Sequence, residues 1–261
     1  MKSYLIFISL LSFCVQTSVW AETAEEKGLA IAVEADKRDT GWGDQQASLE
    51  MILRNRYGQE SKRNNRNKTI EVKGDGDKTL IIFDSPNDIK GTAFLSFTHS
   101  LKSDEQWIFL PALKRVKRIS SSNKSGPFMG SEFAYEDISS QEVDKYKYKY
   151  LRDEKINGRD CFVIETYPQY EKSGYTRIIN WVDKEMYQPL KTEFYDRKNS
   201  LLKTLLYSEY KQYLNKFWRA GRMEMKNHVT GKSTSLMFKE YKFKIGLKDS
   251  DFNRNALKRA R

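Results

Sequence analysis

The chain has 261 residues, a formal charge of +11 and two cysteines, Cys14 and Cys161. That length suits one large β domain, and two cysteines exclude a disulfide-stapled scaffold. The positive excess favours nucleic acid, anionic lipid or an acidic protein as partner, and past residue 21 no apolar run is long enough to span a bilayer.

Residues 1–21 read as a secretory signal. Met1-Lys2-Ser3 is a short positive start, an apolar stretch follows from Tyr4 to Val15, and Val19-Trp20-Ala21 offers a cleavage site before acidic Glu22, Glu25 and Glu26. Phe13 is too bulky to precede a lipidated cysteine, so Cys14 leaves with the signal and the protein diffuses freely. Export disfavours nucleic acid as a partner and leaves an anionic membrane surface or lipid head groups, or simply scattered solvating charge. Cys161 then stands alone in the buried-strand pattern Cys161-Phe162-Val163-Ile164, which suits an inert thiol.

Residues 22–261 are expected to form a single domain. Residues 22–57 are predicted helical, with an apolar stripe of Ala24, Leu29, Ala30, Ile31 and Val33, a break at Gly41-Trp42-Gly43-Asp44, and a second stripe from Ala47 to Leu53. Residues 59–247 read as an antiparallel meander of about ten or eleven strands joined by turn signals. Thr69–Lys73 faces Thr79–Asp84, and Gly91–Leu101 faces Glu105–Leu110. Tyr146–Ile156 meets Arg159–Tyr167 across Asn157-Gly158, a strong hairpin signal. Tyr175–Asp183, Leu190–Tyr195, Leu201–Tyr210, Phe217–Val229 and Ser233–Phe243 complete the series. In Lys145-Tyr146-Lys147-Tyr148-Lys149-Tyr150 the lysines take one face and the tyrosines the other. Asp249 to Arg259 is predicted as a short final helix. A meander this long curls because sheets twist, so the expected fold is mainly β (α+β): an incomplete β-barrel covered by helices at both ends of the chain.

The stretch from Ser120 to Ile138 fits no strand, yet carries Phe128, Met129, Phe133 and Tyr135. Long irregular loops with apolar tips either serve function or plug a barrel end as core, and the sequence leaves both open.

Signs of catalysis are missing. His99 and His228 lie on separate strands without the close-spaced partners of a zinc site. There is no nucleophile elbow, Walker loop or dinucleotide fingerprint. Gly74-Asp75-Gly76-Asp77 lacks calcium-loop spacing and suits a turn. No catalytic residue, metal or cofactor is expected. The basic cluster Lys114, Arg115, Lys117 and Arg118 follows Trp107-Ile108-Phe109-Leu110; it suits a cationic rim beside an apolar cavity, or a solvated strand edge.

Four segments carry a family resemblance: Asp39-Thr40-Gly41-Trp42-Gly43-Asp44, Met51-Ile52-Leu53-Arg54, the run from Trp107 to Ile119, and the run from Phe128 to Ile138. Together they resemble the outer membrane lipoprotein-sorting protein family, which is similar to LolA-type and LolB-type carriers. The resemblance implies a half-barrel over helices with an interior that holds acyl chains, periplasmic localisation, no catalysis, and an inner-membrane transporter of the RND type as partner. The arginine that closes the lid of classical carriers has no clear match here, with Arg54 and Arg56 candidates by location alone. The expected cargo is a lipid or lipoprotein, carried by a monomer that touches membrane surfaces transiently. Alternation places Phe94, Phe97, Trp107, Phe109, Phe128, Met129, Phe133 and Trp181 near the ligand. An error of one residue in register would turn a whole strand over. The competing readings are an accessory subunit docking on an envelope transporter and an exported hydrolase.

Overall fold

A computed structural model describes residues 21–259; apart from Ala21, the predicted signal segment lies outside them. Helix α1 (Ala24–Arg38) opens with a capping box, in which Thr23 Oγ1 accepts from the Glu26 amide at 3.1 Å and Glu26 Oε2 accepts from the Thr23 amide at 2.8 Å. Glu25 and Glu26 in the first turn and Lys37 and Arg38 in the last complement the helix dipole. No described helix is long and apolar enough to cross a membrane.

After α1 the chain does not resume a helix. Asp44–Arg54 is strand β1, which corrects the helical expectation for that half of residues 22–57. Ala47, Leu49 and Met51 are buried while Ser48, Glu50 and Ile52 are only partly so. The true period is two, and Ile52 and Leu53 beside Met51 imitated a helical stripe. Strand β2 (Glu60–Ile70) also departs from expectation, which began a strand only at Thr69. Its sequence, ESKRNNRNKTI, holds almost nothing apolar, so hydrophobic alternation could not find it. The strand forms because its backbone pairs with neighbours on both sides.

The remaining strands follow the meander: β3 (Lys78–Ser85), β4 (Ala93–Phe97), β5 (Glu105–Leu110), β6 (Arg115–Ile119), β7 (Tyr146–Ile156), β8 (Arg159–Pro168), β9 (Tyr175–Asp183), β10 (Pro189–Asp196), β11 (Leu201–Ser208), β12 (Lys211–Tyr213), β13 (Phe217–Arg219), β14 (Arg222–Asn227) and β15 (Ser233–Phe243). On β7 the lysines are exposed and the tyrosines partly buried, as the alternation requires. Helix α2 (Arg254–Arg259) follows.

Thirteen strands form one antiparallel sheet in the order β6-β5-β4-β3-β2-β1-β15-β14-β11-β10-β9-β8-β7, and β12 and β13 form a separate hairpin. The sheet is an unclosed, curled half-barrel with two wings. One wing runs from β1 outward to β6, the other from β15 outward to β7. They meet where β1 pairs with β15. The free edges, β6 and β7, are consecutive in the chain, so residues 120–145 must pass from one edge of the sheet to the other.

That crossing segment enters the trough. Phe128 and Phe133 are 1% exposed and share a core with Leu49, Phe83, Phe94, Ile178, Met225 and Leu236, drawn from both wings. On the outer face of the first wing, Phe252 and Leu257 of the C-terminal segment cover Leu80, Leu95 and Trp107. Helix α1 lies along β7 and β8, with Ile31 packed against Ile164 and Val182. Gly28 permits this approach, since a Cβ there would stand 2.7 Å from the Tyr150 backbone nitrogen.

Candidate functional site

The crossing segment is fastened by polar groups as well as by its rings. Lys203 Nζ on β11 lies 2.8 Å from Asp137 and donates to the Glu132 carbonyl at 3.0 Å. Asp137 also accepts from Tyr175 Oη at 2.8 Å. Glu136 accepts from Tyr170 Oη, Ser173 Oγ and the Gly174 amide at 2.8–2.9 Å. Asn227 Nδ2 donates to Glu132 at 2.7 Å, and the Arg63 guanidinium donates to the Met129 carbonyl. Gln106 Nε2 reaches Ser139 Oγ at 2.8 Å. Strands of both wings thus hold the segment, and the Phe128 end of the trough is closed.

The other end is open. A cavity of about 1230 Å³ lies between α1, the inner faces of both wings, residues 139–144 and the β12–β13 hairpin. Phe128, Phe133, Leu49, Met51, Ile81 and Leu236 give it an apolar floor. Trp42, Trp218, Tyr148, Tyr187, Tyr207 and Tyr210 supply aromatic walls. Asn65 and Asn67 line the same space from β2, paired in register with Leu49 and Ala47 of β1.

Acidic side chains gather where α1 ends, β2 ends and β3 begins: Asp36, Asp39, Glu71 and Asp77, joined by Glu142 and Asp144 from the crossing segment. Burial, and Glu142 nearby, push the Asp77 carboxyl up to about 7. Burial also raises Asp36, helped by the charges of Asp144 and Glu71, and burial raises Glu142.

The structure separates the eight aromatic and methionine candidates. Phe128 and Phe133 line the cavity. Phe94 lies behind Phe128, with ring centroids 5.2 Å apart, and Met129 packs against the same core. Phe97, Trp107 and Phe109 point the other way, into the outer layer under Phe252 and Leu257. Trp181 is also on the outer face, with Cys161 and Val163, beneath Lys191 Nζ at 4.1 Å from its ring centroid. These four do not face the cavity. The physical reason is that the outer face of the sheet is itself buried in places, so an aromatic residue there says nothing about direction.

Lys114, Arg115, Lys117 and Arg118 are exposed on and just before edge strand β6, and none lines the cavity. Arg54 pairs with Glu60 at 2.7 Å and Arg56 stacks on Tyr57, so neither reaches the crossing segment through these contacts. His99 Nδ1 lies 2.6 Å from Asp75, and His228 Nε2 lies 2.8 Å from Thr204 Oγ1. Among the described residues no group of three or more His, Cys, Asp and Glu side chains could hold a metal ion. Sequence reasoning missed Asn65, Asn67 and the acidic mouth. The one available signal was a run of asparagines where a sheet needs an interior strand.

A family model described as an uncharacterized protein matches residues 75–259. No curated protein matches the chain. Among solved structures, a domain from Vibrio parahaemolyticus named for outer membrane lipoprotein sorting is 59% identical, with a TM-score of 0.88 over 90% of this chain and 99% of that one. A DUF1329 family protein from Desulfovibrio piger is 29% identical, with a TM-score of 0.85 over 90% and 99% of the two chains. A LolA superfamily protein from Nitrosomonas europaea is 23% identical, with a TM-score of 0.71 over 90% and 100%, and shares the fold. None of the three is named for an enzyme activity.

Proposed function

This chain belongs to the outer membrane lipoprotein-sorting protein family, and from that premise we propose that it is a periplasmic carrier. It takes acyl chains of a lipid or lipoprotein into the trough and moves them between the envelope membranes, with a membrane transporter of the RND type as donor or acceptor. The observation that carries this reading is the cavity of about 1230 Å³ opening on an unclosed sheet. Pockets for small molecules run to roughly 1,000 Å³, so the space suits a larger, elongated cargo. Each methylene buried gains about 0.8 kcal/mol, enough for substantial yet reversible binding.

The experiment is native mass spectrometry of protein purified from the cell envelope. The expected result is co-purifying lipid or lipoprotein. Protein that is consistently empty and takes up no lipid from vesicles overturns the reading. A second reading, docking on a transporter without carriage, draws on the exposed basic edge strand β6. It predicts transporter binding that survives blocking of the cavity and is lost when Arg115, Lys117 and Arg118 become alanine.

A further inference from the structure

The charge of the cavity opposes the charge of the protein. The chain carries +11, yet eight carboxylates line the cavity against two basic side chains, Lys73 and Arg219. Two of the eight are ion-paired, Asp39 with Arg219 and Asp137 with Lys203, and a third, Asp75, lies 2.6 Å from His99 Nδ1. The other five, Asp36, Glu71, Asp77, Glu142 and Asp144, have no ion-pair partner within 4.0 Å among the described residues. Glu71 accepts the Gly41 and Gly43 amides at 2.8 and 2.5 Å, and Asp77 accepts from Ser140 Oγ at 3.2 Å. Like charges gathered in a low-dielectric cleft repel one another and concentrate field on whatever enters.

A second observation comes from deeper in the same cavity. Asn65 is 3% exposed, and neither its amide nitrogen nor its amide oxygen has a hydrogen-bond partner among the described residues; Asn67 Oδ1 is also unmatched. An unmatched buried amide costs about 1–3 kcal/mol, a cost that a bound ligand or water in the cavity relieves. Asn65 Nδ2 is a free donor for the carbonyl of the ester or amide that joins an acyl chain to its head, and the two free acceptors, Asn65 Oδ1 and Asn67 Oδ1, suit an amide N–H.

We propose that the cavity takes an acyl amphiphile whose head group carries a protonated amine, held at the mouth by Asp36, Asp77, Glu142 and Asp144 while Asn65 and Asn67 bond the ester or amide linkage below. This rests on the carrier reading above. Burial and mutual repulsion already hold Asp36, Asp77 and Glu142 against ionisation, and an arriving cation relieves both. The ring of Tyr148, which also lines the cavity, adds favourable contact for an ammonium group. An anionic head of the same chain length meets net repulsion, since the carboxylates outnumber Lys73 and Arg219 in the lining.

The test titrates the full protein with dodecylammonium, dodecanoate and dodecanol, followed by native mass spectrometry and tryptophan fluorescence. Dodecylammonium is expected to bind at least about tenfold more tightly than dodecanoate, with the margin shrinking in salt. In D36N/D77N/E142Q the margin should fall to about threefold or less, and the exposed D144N should lower it by a smaller factor without threatening the fold. Dodecanoate binding as tightly as dodecylammonium, with dodecanol also bound, overturns the head-group assignment and leaves the carrier reading standing. Failure of all three to bind overturns both. Phosphatidylethanolamine and a diacylated lipopeptide with a free amino terminus, each against its N-acetylated form, distinguish the two sources of such an amine. Acetylation should weaken whichever is the cargo, and indifference to acetylation in both overturns the proposal.

Discussion

At one end of the trough Phe128 and Phe133 fill the space between the wings, and the charged groups that fasten the segment have partners, Asp137 with Lys203 and Tyr175 and Glu136 with Tyr170 and Ser173, while Gln106 Oε1 alone among the fastening side chains is unmatched. At the other end the same strands present Asn65 and Asn67 to an open cavity with no protein partner for their amides, below carboxylates that repel one another. The closed end follows the rules for a stable core. The open end breaks them within two residues of the same strand. Stability and ligand capture are therefore divided along the trough, and substitutions at the two ends should have opposite signs.

The largest effect is expected from Phe128→Ala, which empties the centre of the plug and should cost about 3–5 kcal/mol of stability in urea denaturation. Loss of only about 1 kcal/mol would mean the segment is a loosely seated lid. Next comes Lys203→Met, which leaves Asp137 buried without its cation and should cost about 3 kcal/mol, while pairing it with Asp137→Leu recovers most of that. No recovery in the double variant would place the fastening elsewhere.

The third test turns on pH. The Asp77 carboxyl lies at about 7 against an ordinary value of 3.8, so the folded protein holds this proton more tightly than the unfolded chain does. Its contribution to stability is complete below 3.8 and is lost as pH rises through 7. Asp77→Asn cannot ionise, so its stability relative to the parent should climb across that window, read from melting curves at several pH values. A flat difference would mean Asp77 is well solvated. The smallest expected change is a gain. Asn65→Leu removes the unmatched amide and should stabilise the empty protein by about 1 kcal/mol, a sign opposite to that at Phe128.

The sequence was legible where a residue's chemistry has one structural meaning. Asn157-Gly158 marks the β7–β8 hairpin, and the lysine–tyrosine alternation of β7 shows which face is wet. It was misleading where burial has two directions. Phe97, Trp107, Phe109 and Trp181 are apolar because the outer face is covered, by Phe252 and Leu257 in one place and by Lys191 in another. Nothing local in β4, β5 or β9 announces a cover that arrives from residues far along the chain. Strand β2 was invisible for the reverse reason: its inward positions are polar, so the periodicity that reveals strands was missing at the place where the cavity needs asparagine. The acidic mouth is assembled from α1, two strand ends and the crossing segment, and only the fold brings these together.

The seam between the wings has a consequence for how the chain is made. Strand β1 pairs with β15, so Met51 stands opposite Leu236, 185 positions further along. Strands β1 to β6 can zip together as they emerge, and β7 to β11 can do the same, because each joins a neighbour close in sequence. The seam cannot form until β15 is delivered, and pairing over such a separation is slow. Until then the inner edge of β1 lies bare, a template for unwanted pairing. Folding of this protein is thus timed by its last strand, and the newly made chain needs protection for most of its synthesis.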